Sequence, residues 1–119
     1  MTENNDGIPL ETDRKISEPD GFALLADPQR KRCIEILYES TPPLQVADLA
    51  ERLADLSDQP NKSPMELEIA LHHTHLPMLA DREVVIYNQT DNTVEKGTNF
   101  GYLISLLGIE SERSMQFVP

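Results

Sequence analysis

Ile69-Ala-Leu-His-His-Thr-His-Leu-Pro-Met-Leu-Ala-Asp81, followed closely by Val84-Val-Ile-Tyr87, is the stretch on which the fold turns. It continues a helical pattern that opens at Ser63-Pro64 with Glu66 three residues after the serine, a capping signature with proline at the first helical position. Leu67, Ala70, Leu71, Thr74, Met78 and Leu79 share one stripe, which predicts that this face lies in the core. Pro77 cannot bond the carbonyl of His73, a loss of about 3 kcal/mol inside a regular helix, so a kink or restart is expected there. After Asp81-Arg82-Glu83 the period changes. Val84 to Tyr87 is β-branched and aromatic, Asn88-Gln-Thr-Asp-Asn92 is rich in turn formers, and Thr93-Val-Glu-Lys96 can return, which predicts a short antiparallel hairpin.

Toward the N-terminus, Leu44 to Leu56 carries Val46, Leu49, Ala50, Leu53 and Leu56 at helical spacing with Asp48, Glu51, Arg52 and Asp55 opposite, so a helix is expected over that range. Ser57 to Ser63 has the composition of a loop. Asp27-Pro28 caps an earlier helix that runs to about Ser40, with Cys33, Ile36 and Leu37 inward and Arg30, Lys31 and Arg32 in its first turn. Thr41-Pro42-Pro43 ends it. Ser17 or Asp20 caps a short helix bearing Phe22, Leu24 and Leu25. Residues 1–16 are expected to form a disordered acidic arm, since six acids fall in the first twenty residues and apolar content is sparse. Beyond the domain at 17–96, an apolar C-terminal helix is expected over 97–112, with a frayed tail at 113–119.

The chain has 119 residues, enough for one domain with a modest core, and with no Trp and 5% aromatics that core must be aliphatic. Its 21 acidic residues against 10 Lys and Arg give a formal charge of -11, which favours solubility and repels polyanions. One cysteine, Cys33, excludes an intramolecular disulfide and an all-Cys zinc site, and fits a reducing compartment. No run reaches membrane-spanning length and the acidic N-terminus is unlike a signal peptide, so a cytoplasmic protein is expected.

Three helices, a hairpin and a further helix make a mainly α fold with a small β-hairpin, the order of a winged helix-turn-helix domain. Leu25-Ala-Asp-Pro-Gln-Arg-Lys-Arg32, Val46-Ala-Asp-Leu-Ala50, the Ile69–Asp81 stretch and Val84-Val-Ile-Tyr87 together resemble a haloarchaeal winged-helix family of unknown function, similar in fold to ArsR-type transcriptional regulators. The resemblance spans roughly residues 20–96 and implies DNA binding in transcriptional control.

On that expectation Arg30, Lys31, Arg32, Lys62 and Lys96 position phosphates of double-stranded DNA, while Glu66, Ile69, His72 and His73 face the groove from the third helix. Acidic Glu66 and Glu68 depart from a basic recognition helix, which favours an alternative: an adaptor that binds a protein partner and has lost DNA binding. His72 and His75 stand one turn apart, but no fourth ligand accompanies them, so no metal site is expected. His75 is read as flanking the core with local hydrogen bonds. No phosphate loop, nucleophile elbow or acid–base pair is visible, so neither an enzyme nor a cofactor is expected. Six of the eight residues from Tyr102 to Ile109 are apolar, a surplus that predicts a homodimer interface through Phe100, Tyr102, Leu103, Leu106 and Leu107.

Overall fold

The computed structural model describes residues 16–56 and 62–115. Most of the expected acidic arm and the loop at 57–61 lie outside the described residues. Ile16, assigned to that arm, is instead 6% exposed, because its aliphatic side chain joins the core.

Helix α1 spans Glu18–Leu25, with the Ser17 hydroxyl accepting from the Asp20 N–H at 3.2 Å. Helix α2 spans Pro28–Glu39, and the Asp27 carboxylate caps it by accepting from the N–H groups of Gln29 at 2.8 Å and Arg30 at 3.2 Å. Strand β1 is Leu44–Gln45 and helix α3 is Val46–Leu56. The helix expected from Leu44 therefore starts two residues later. Leu44 pairs with Val94 and the Val46 N–H donates to the Asn92 carbonyl at 2.9 Å, so the chain enters α3 as an edge strand.

Helix α4, Pro64–Ala70, opens with a reciprocal cap: Ser63 accepts from the Glu66 N–H, and the Glu66 carboxylate accepts from the Ser63 N–H at 2.9 Å. The helix then widens into a π turn over Leu71–His75, where the Leu76 N–H reaches back to the Leu71 carbonyl, and continues as α5, Leu76–Asp81. The kink or restart expected at Pro77 is met by a restart: after the π turn the α-helix resumes at Leu76 with Pro77 in its first turn. The extra residue of the π turn rephases the stripe. Leu67, Leu71, His75, Leu76 and Leu79 are buried, while Thr74 and Met78, expected in the core, face solvent.

A Schellman motif closes α5: the Glu83 N–H donates to Ala80 and the Val84 N–H to Leu79, both at 2.9 Å, with Glu83 at φ 60° in the position usually given to glycine. The turn is braced by Gly97 donating to Val84 and Asn99 donating to Glu83, both at 2.8 Å. A Cβ on Gly97 would lie 2.6 Å from the Glu83 carbonyl oxygen, so this crossing needs glycine.

Strands β2, Val85–Asn88, and β3, Thr93–Lys96, form the expected hairpin. With β1 they make a three-stranded antiparallel sheet of order β1-β3-β2. Helix α6, Phe100–Met115, lies against α1 and α2 and runs beyond the expected end at 112. The result is a mainly helical domain around one aliphatic core that includes Ile34, Leu37, Leu49, Leu76, Val84 and Leu103.

Candidate nucleic-acid interface

The reciprocal cap on α4 fixes which side chains it presents. Met65 is 71% and Ile69 54% exposed, and Glu66 and His73 are also exposed, with Lys62 just ahead of the helix. The Glu66 carboxylate is occupied at the cap, so it serves the helix rather than a ligand.

His72 was expected to face outward. It is half-buried instead, with Nδ1 hydrogen-bonded to the Tyr87 hydroxyl and Nε2 3.6 Å from the Glu68 carboxylate. The bond ties the helix to β2, and burial pushes the Tyr87 phenol above its ordinary pKa, so the hydroxyl stays protonated.

The cations divide into two groups. Arg30 was expected on the surface, but its side chain is 11% exposed and turned inward. Its Nε donates to the Leu24 carbonyl at 2.9 Å and its Nη1 lies 3.4 Å from His75 Nδ1 and 3.5 Å from Met78 Sδ. Arg30 therefore joins α1, α2 and the π turn. Lys96 donates to the Tyr38 carbonyl at 3.3 Å, at the end of α2, with its ammonium 5.6 Å from the Phe100 ring centroid. Of the five expected phosphate contacts, Arg30 is turned inward, Lys31, Arg32 and Lys96 are half-buried, and Lys62 is exposed.

His75 does flank the core, at 6% exposure, but its partners lie 45 and 46 residues away rather than nearby. Arg30 can only donate, so Nδ1 accepts and Nε2 donates to Gln29 Oε1 at 2.9 Å. Burial holds the His75 pKa below the ordinary histidine value; Arg30 and Lys62 add to the effect and Asp27 opposes it. Burial also works against the charge on Asp27, but the N–H groups of Arg30 and Gln29 outweigh it and leave the carboxyl below its usual range. Cys33 is fully buried, and desolvation pushes its thiol up to about 12, so it behaves as an apolar residue. Among the described residues, no group of three or more His, Cys, Asp or Glu side chains is placed to hold a metal ion.

The expected dimer residues separate as well. Phe100, Leu103 and Leu106 are at most 4% exposed, because α6 packs on α1 and α2 of its own chain. Tyr102 and Leu107 are half-buried. Leu107 and Ile104 border a groove with Tyr38, 58% exposed, and Leu56, 48% exposed.

Sequence reasoning missed Gln29 and Tyr87, whose roles come from partners distant in the chain, and Met65, whose exposure follows from the cap.

The domain that emerges is a small helical one in which a capped helix is joined to a β-hairpin. Residues 22–95 match the model of a domain of unknown function, DUF7344, and the chain belongs to that family. No curated protein and no solved structure matches it. No helix among the described residues is long and apolar enough to cross a membrane.

Proposed function

We propose that the protein is a winged helix-turn-helix transcriptional regulator that binds double-stranded DNA as a homodimer, in the cytoplasm and without a cofactor. The observation that carries this reading is the tie between the π turn that continues α4 and strand β2 of the hairpin, made by His72 and Tyr87. A winged helix places its third helix in the major groove and its hairpin along the backbone, and a helix tied to its wing meets both sites as one body. The β1-β3-β2 sheet, whose first strand sits between α2 and α3, agrees with that architecture. On this reading Ile69 and His73 approach base edges, while Lys31, Arg32 and Lys62 supply phosphate contacts. The homodimer uses the part of α6 left by the core: Tyr102, Ile104 and Leu107, with Tyr38 and Leu56 beside them.

Retention on DNA upstream of the protein's own gene, measured at molar potassium chloride and at low salt, tests the reading. Specific retention is expected, with Lys62→Ala lowering the salt slope by about one. Failure to retain any duplex at either salt overturns it.

A second reading, a protein-interaction adaptor, is favoured by one observation. Met65 and Ile69 put apolar surface on α4 beside Glu68, while Arg30 is turned inward. A protein partner lost with Met65→Ser and Ile69→Ser, from a chain that retains no DNA, would establish it.

A further inference from the structure

We propose that Gln29, Arg30 and His75 form a proton-operated latch between α2 and the π turn: a proton taken up at His75 Nδ1 expels the Arg30 guanidinium and loosens the π turn from α2, while the tie from the π turn to the hairpin stays closed. The latch is built from buried groups of the fold and holds whatever α4 binds, so it goes beyond the DNA-binding reading.

Donors and acceptors define the closed state. His75, 6% exposed, accepts at Nδ1 from Arg30 Nη1 at 3.4 Å and donates from Nε2 to Gln29 Oε1 at 2.9 Å. Only the neutral tautomer with its proton on Nε2 suits both partners, because a guanidinium has donors alone. An imidazolium carries an N–H on each ring nitrogen. The Gln29 bond then persists, but at Nδ1 two N–H groups and two positive charges meet in a site withdrawn from water, so the Arg30 contact is lost. The guanidinium has a second position within reach: Asp27 Oδ2 lies 3.9 Å from the same Nη1, on a side chain 35% exposed. Met78, whose Sδ accepts from Nη1 at 3.5 Å, is itself 42% exposed.

The surroundings keep the latch closed near neutral pH. Burial is the largest influence on the ring and works against the proton; of the described charged groups that act on it, Asp27 at the α2 cap favours the proton, while Arg30 on α2 and Lys62 ahead of α4 oppose it. The tie to the hairpin responds differently. The Tyr87 hydroxyl both donates and accepts, so its bond to His72 Nδ1 survives protonation of that ring, with the Glu68 carboxylate 3.6 Å from Nε2. His72 and His75, neighbours on one turn, therefore part company in acid: one lets go of α2 and the other keeps hold of β2.

The test follows the full isotope-labelled chain by NMR from about pH 7.5 to about pH 4.5, a range over which Asp27, held below the usual carboxylate range, stays charged. The His75 ring is expected to titrate below the ordinary 6.5. The Arg30 Nε–H resonance, set at neutral pH by its bond to the Leu24 carbonyl, should move toward the position of free arginine with the same midpoint, while the cross-strand amides of the hairpin keep their protection from exchange. His75→Gln offers an acceptor and a donor but no site for the proton, and should hold the Arg30 signal in place throughout. Arg30→Gln should move the His75 midpoint to higher pH. An Arg30 signal that stays put while His75 takes its proton, one that moves in His75→Gln as in the parent chain, a ring that takes no proton over the range, or hairpin protection lost in step with the titration would each overturn the proposal.

Discussion

Helices α4 and α6 both carry more apolar residues than one buried face requires, and they place them in opposite ways. On α6, Phe100, Leu103 and Leu106 turn into the chain's own core. On α4, Leu67 alone is buried, while Met65 and Ile69 stand in solvent. Phase relative to neighbouring elements, rather than apolar count, decides which side chains leave water. The difference also separates two modes of support: α6 is held by burial of several side chains, and α4 by Leu67 against α3 together with its cap.

The largest expected effect comes from inverting that assignment. Leu103→Ala should cost about 2–5 kcal/mol in denaturant unfolding, whereas Ile69→Ala should stay within about 0.5 kcal/mol. Equal losses at the two sites would mean that α4 is buried in solution. Next in size is Ser63→Ala, which removes the cap and should cost about 1 kcal/mol, with faster amide exchange confined to the first turn of α4.

A pH effect sharpens the contrast further. Because the folded pKa of His75 lies below the ordinary 6.5, the unfolded chain binds more protons near and below that value. Its contribution to stability is complete above about pH 6.5 and drains as the pH falls through the depressed folded value. Thermal midpoints from pH 7 to 5 should therefore decline, and His75→Gln should flatten that decline. Acid sensitivity unchanged in the variant would assign the effect to another group. The smallest effect is expected from Tyr87→Phe, about 0.5–1.5 kcal/mol, read best as a change in the His72 ring resonances and in hairpin amide exchange.

The fold was legible wherever a local signal governs an element. Asp27-Pro28 and Ser63-Pro64 mark helix starts, and Val84 to Lys96 reads as a hairpin, because caps, prolines and β-branched runs act within a few residues. Strand β1 escaped because two residues carry no period. The π turn left a trace in the five-residue step from Leu71 to Leu76, which a stripe built on three and four assigns to Thr74 and Met78 instead. The site was harder to read. Arg30 and Lys62 look alike in a charge count, and only the approach of Leu24, His75 and Met78 tells them apart. The Gln29–His75 and His72–Tyr87 contacts join residues 46 and 15 positions apart, which no local pattern encodes.

The π turn at Leu71–His75 accommodates one more residue between the helix's two anchors than a regular α-helical turn would. The cap at Ser63 fixes one end and the Schellman turn at Glu83 the other, and the helix widens between them. The face before that point and the face after it can consequently be altered as separate surfaces: the first presents Ile69 to whatever the domain meets, and the second keeps Leu76 and Leu79 seated when the first is changed.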